Sequence, residues 1–270
     1  MTSETIERGK LDIGRVINET FGVLRRNLVS FTLLGLLLSG LPMGIIGFLQ
    51  ITLMGDELAA MANGQVNLTP GYFQGVGLGV VGALITSAIL QGALIYATVQ
   101  DLNGQKASIG DSLATGLRNF LPLIIISILF ALAFGFGLVL FIAPGIMIAC
   151  AWCVALPALV ADRTGIFGSF GRSAELTRGN RWRLFGLFVI FFILLVVLGT
   201  IFNAITGVST LAAQGPAAIE RMTSPLYIVM QVIQQTIAAV VSSSAIAVIY
   251  VELRRVRDGL GPQWLGEIFA

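Results

Sequence analysis

The chain has 270 residues, 56% of them hydrophobic and only 11% charged, with 32 glycines, no histidine and a formal net charge of +2. Soluble domains carry about 25% charged residues, so a globule of this size would lack the polar surface to cover itself. The composition excludes a disordered chain, a disulfide-stapled secreted domain and a nucleic-acid binder, and the missing histidine excludes imidazole-dependent nucleophiles and histidine-ligated metals. What remains is an all-α polytopic membrane protein, read as a single transmembrane domain over residues 1–270, with no cofactor expected.

Residues 1–27 carry the first pattern. Ile13, Val16, Ile17, Phe21, Leu24 and Leu28 recur at helical spacing, with Asp12, Arg15, Glu19, Arg25 and Arg26 largely off that stripe. The spacing predicts a short amphipathic helix lying in the membrane interface. Apolar runs of the roughly 20 residues that a span requires follow at 28–53, 73–99, 120–142, 145–161, 184–206 and 226–251. The fourth, about 25 Å as a helix, fits if it stands upright. The first is too long for the core of a cleaved signal peptide and reads as a retained span. The runs are continuous rather than alternating, which predicts helices rather than a lipid-embedded barrel.

Two further amphipathic segments precede the third and fifth runs: Ile109, Leu113, Leu117 and Phe120, then Ile166, Phe167, Phe170 and Ala174. Each of the three segments leads through an asparagine (Asn27, Asn119, Asn180) into a span. The order predicts three interfacial helices and three copies of interfacial helix, span, span, a threefold parallel repeat about the membrane normal. In this layout fifteen of the sixteen Lys and Arg residues share one side, and only Arg221, beside Glu220, falls on the other. The positive-inside rule then places both termini in the cytoplasm.

The stretch from Pro144 to Gly186 carries a more specific pattern. It contains Pro144-Gly145, then Pro157 ahead of Asp162, then Arg172-Ser173, then Gly179 before Trp182. This resembles the YciC-like bacterial inner-membrane proteins and the related membrane domain fused to some glycerophosphodiester phosphodiesterases. Two positions depart from that family: Asp162 stands where glutamate is usual, and Arg163 where a small residue is usual. The resemblance implies a bacterial inner-membrane location. It does not imply the phosphodiester reaction, which belongs to a separate barrel that needs histidine and a metal.

Two groups of residues are candidate sites. Asp162, Arg172, Ser173, Arg178, Arg181 and Trp182 cluster where the fourth span meets the third amphipathic segment. They read either as a structural ion pair docking that segment or as a site for a phospholipid headgroup or small anion. Gln231, Gln234, Gln235 and Ser242 share one face of span six, and Gln91, with Ser87 and Thr86, lies in span two where it can face the same interior. They read either as interhelical hydrogen bonding or as a polar path for a solute. Gly40-x-x-x-Gly44 and Gly75-x-x-x-Gly79 read as helix packing, and Cys150-x-x-Cys153 as small packing residues.

The expected function is therefore that of a non-enzymatic integral membrane protein engaged with lipids, anionic phospholipid among them, or with an envelope protein or a second copy of itself. The alternative is a conduit for a small solute along span six. No ionisable residue lies well inside a span, which weighs against an ion-coupled pump.

Overall fold

The structure, a computed structural model, describes residues 10–62, 65, 68–206 and 224–259. Arg8, Glu220 and Arg221 lie outside the described residues. Among those described there is no strand, and six helical stretches are long and apolar enough to cross a membrane: Leu28–Leu53, Pro70–Leu102, Ile109–Leu140, Ile142–Asp162, Arg181–Thr206 and Pro225–Asp258. Each coincides with one expected run. The protein is an all-α, multi-pass membrane protein.

Helix α1 (Ile13–Arg26) begins at Asp12, whose carboxylate accepts from the Arg15 amide at 3.0 Å. It buries Val16, Thr20 and Val23 against the bundle, so the stripe read as membrane-facing is in part a docking face. Asn180 fixes its start, with Oδ1 accepting from the Leu11 amide at 2.8 Å, while Arg183 donates to the Leu11 carbonyl at 2.7 Å. At its other end Arg26 reaches Asp101 at 2.6 Å, and Asn27 donates to the same carboxylate. The hydrogen bond that Arg26 donates to Asp101 outweighs its modest burial and holds its guanidinium above the usual range.

Span one is α2 (Leu28–Gly35), one π turn (Leu36–Gly40) and α3 (Leu41–Leu53). Pro42 explains the wide turn: it has no N–H to donate to the Leu38 carbonyl, and its ring would clash there. The Leu41 amide instead bonds five residues back, to Leu36. Helix α4 (Gly55–Ala62) leads to span two, α5 (Pro70–Leu102). Span three is α6 (Ile109–Leu140), span four is α7 (Ile142–Trp152) plus α8 (Ala155–Asp162), and a short α9 (Gly165–Leu176) precedes span five, α10 (Arg181–Thr206). Span six is α11 (Pro225–Asp258).

Span six is the hub. In its most apolar stretch 67% of residues are buried, against 11% in span five, whose surface is left to lipid. Glycines set the close approaches. A Cβ on Gly35, Gly40 or Gly44 of span one would collide with Val240, Thr236 or Val232 of span six. Gly92 of span two and Gly116 of span three meet backbone to backbone. The glycine pairs are thus packing seams, as expected.

The expected order of interfacial helix, span, span is not reproduced in the second unit. The second amphipathic segment is not a separate interfacial helix; it is the first three turns of α6, which continues unbroken to Leu140. Ile109, Leu117 and Phe120 are exposed, while Ser112 and Gly116 are buried, Gly116 against Ile89 and Ala93 of span two. Where two helices approach closely the contact face must be small, so the apolar stripe marks the lipid side. In the third segment Phe170 is buried but Phe167 is 81% exposed, off the docking stripe.

Candidate functional site

Span four breaks between Trp152 and Ala155. The cause lies in Pro157, which cannot donate to the Cys153 carbonyl four residues back and whose ring pushes against it. Backbone groups freed inside a membrane need partners. Ser173 of α9 supplies them: its hydroxyl donates to the Ala151 carbonyl at 2.9 Å and accepts from the Val154 amide at 3.3 Å. Thr177, one turn on, adds a bond to the same Ala151 carbonyl at 3.2 Å. Phe170 packs on Trp152 with ring centroids 4.6 Å apart. Helix α9 is therefore a splint across the break. Ser173→Ala is expected to orphan the Val154 amide and cost about 2 kcal/mol, seen as a lower thermal midpoint in detergent; Arg178→Ala, which touches none of these groups, should leave the midpoint within error.

The same splint is clamped by charge. Asp162, at the end of α8, meets Arg172 Nε at 3.3 Å and Arg254 Nη1 at 3.2 Å. Asp258 closes the ring, reaching Arg172 Nη2 at 2.5 Å and Arg254 Nε at 3.4 Å. Glu175 adds a third carboxylate to Arg172, and Tyr250 accepts from Arg254. Burial works against the Arg172 charge, but Asp258 and Asp162 more than offset it, and the guanidinium is held above its usual range. Two carboxylates and two guanidiniums thus satisfy one another and join span four, α9 and span six. Of the two readings of this cluster the ion pair is the one these distances describe, since Arg172 has three carboxylates around it and no free edge for phosphate. Arg254 and Asp258 were not among the residues expected here.

The remaining residues of the cluster stand apart from the ring. Arg178 is exposed and forms no ion pair among the described residues. Arg181 has its Nε buried without a hydrogen-bond partner in the described residues. Trp182 is 86% exposed at the head of span five, edge-on to Phe185. Arg163, in the left-handed conformation that ends α8, is likewise exposed without an ion pair among the described residues.

The polar residues of the spans divide. Gln91, Gln235 and Ser242 line one cavity of about 510 Å³ between spans one, two and six, together with Thr86 and Ser87. Gln231 and Gln234 do not join it. Gln231 shares the face of Gln235 but sits a turn beyond the cavity and is exposed. Gln234, about 100° around the helix from Gln235, points toward Gly199 of span five. Ser39, in the π turn, and Ser243 complete the polar lining and were not singled out from the sequence; the proline three residues after Ser39 is the signal that the helix is irregular there.

No protein-family model, curated protein or solved structure matches this chain.

Proposed function

We propose that this chain is a non-enzymatic bacterial inner-membrane protein of the YciC-like kind, with cytoplasmic termini, that engages anionic phospholipid at its basic end. The observation that carries this is the pairing of Arg163 and Arg178, which form no ion pair among the described residues, with the exposed aromatics Phe167 and Trp182 on α9 and its flanks. Arginine beside exposed aromatic rings is suited to the headgroup region, where rings sit at the interface and guanidiniums meet phosphate. Arg172, committed to the ion-pair ring, belongs to the scaffold of this face rather than to its contact surface. A conduit along span six has less support, because Gln231 and Gln234 leave the cavity and the polar lining stops at mid-depth.

The test is phospholipid retained through purification in mild detergent. At about 1 kcal/mol per arginine near a charged surface, Arg163→Glu/Arg178→Glu is expected to reduce bound anionic phospholipid tenfold or more, with the thermal midpoint kept. Equal retention in the variant rejects the reading, and loss of a co-purifying envelope protein in place of lipid would assign the face to that partner.

A further inference from the structure

The cavity between spans one, two and six lies at the middle of all three helices. Its span-six wall runs from Gln235 to Ile246, which puts it about 12 to 28 Å from Arg254 at 1.5 Å per residue. This is the depth at which a polar group without a partner is most costly. Yet five polar side chains there have none among the described residues. Ser39 and Ser243 are 3% and 5% exposed, and neither they nor Gln91, Gln235 and Ser242 make a hydrogen bond among the described residues. Thr86 and Ser87, by contrast, are satisfied by carbonyls of their own helix.

We propose that this cavity is a binding site for an uncharged lipid that carries hydroxyl or carbonyl groups. The unpartnered amides and hydroxyls both donate and accept, which suits either function. No charged residue lines the cavity, so a phosphate or carboxylate headgroup would find no counter-charge. Met43, Val80, Leu90 and Ile246 supply apolar wall for a hydrocarbon portion. The volume falls within the roughly 300–1,000 Å³ of small-molecule sites. A lipid fits better than a water-soluble solute, because the cavity lies at mid-depth between three membrane-spanning helices and most of its lining is apolar. The π turn contributes by aiming Ser39, and such turns recur at functional sites.

The experiment reconstitutes the full chain in phospholipid nanodiscs with a dioleoylglycerol analogue carrying a photoreactive acyl chain. Labelling is expected on peptides of spans one, two and six, displaced by excess dioleoylglycerol and not by the hydrocarbon squalane. It should fall at least tenfold in Gln91→Leu/Gln235→Leu and in Ala239→Phe, which fills the cavity, and persist in Gln231→Leu, outside it. Should the double variant fail to fold, Ala239→Phe and Ser243→Ala carry the same comparison. Labelling spread over spans three and five, equal displacement by squalane, or labelling unchanged in Ala239→Phe would each overturn the assignment and leave a cavity of water or acyl chain. Arg163→Glu/Arg178→Glu is expected to leave this labelling intact, so the two lipid readings stand or fall separately.

Discussion

Asp162→Asn is expected to be strongly destabilising, by about 3 kcal/mol, because it removes from a largely buried network the one carboxylate that ties both guanidiniums to span four. The Asp162 side chain is 12% exposed and Arg254 9%, so solvent cannot take over the lost pairing. Arg254 would keep Asp258 at 3.4 Å and the Tyr250 hydroxyl at 3.3 Å, neither of which replaces the lost carboxylate. Arg172 would keep Asp258 and Glu175 and lose the tie to span four. The damage should therefore appear as release of α9, with faster proteolysis between Arg163 and Arg178 along with a lower thermal midpoint. Asp101→Asn is the contrast. Its partner Arg26 is half exposed, and such a pair contributes about 0.5–1 kcal/mol. Raising the salt from low ionic strength to about 0.5 M should erase much of the Asp101 effect and little of the Asp162 effect, since screening acts on exposed charges. An Asp162→Asn variant that unfolds with the wild-type midpoint would show that the ring does not clamp α9.

How much of this could be read from sequence depends on the range of the interaction. The spans were legible because hydropathy over about twenty residues is a local property. Asp162 and Arg172 were legible as a pair because ten residues and one turn separate them. Arg254 and Asp258 were not, since they reach Asp162 and Arg172 from a distant part of the chain, 86 residues away in the case of Arg172 and Asp258, and only the bundle brings them near. Ser173 is legible as a member of the cluster, but its bonds across the break in span four are not. What it does follows from Pro157 breaking span four, a consequence read only when the proline and the serine are considered together. The segment before span three misled for a physical reason. In a membrane an apolar stripe can face lipid as readily as protein, so Leu117 faces out while Gly116 makes the contact. Gln231 misled because sharing a helical face does not mean sharing a depth.

Gly116→Ala is expected to destabilise the bundle by about 3 kcal/mol, at the upper end of the cost of overpacking a close contact. The new methyl would meet the Ile89 carbonyl and lie 3.2 Å from the Ala93 amide, both of them backbone. Neither can swing aside as a side chain does, so spans two and three must part along their length. Gly40→Ala is expected to cost less, because the atom it meets first is the hydroxyl of Thr236, which can change rotamer at the loss of its 2.8 Å bond to Val232. Gly77 and Gly135 have nothing within 4 Å of an added methyl. Alanine there should be neutral or stabilising by up to about 1 kcal/mol through helix propensity. Midpoints of the four variants in one detergent test the order. Gly77 sits between Gly75 and Gly79, which pack on Met54 and Gln50, so composition and spacing alone do not separate it from them. If Gly116→Ala were as well tolerated as Gly77→Ala, spans two and three would not be held at backbone contact, and the placement of Gln91 in the cavity, one residue from Gly92, would lose its support.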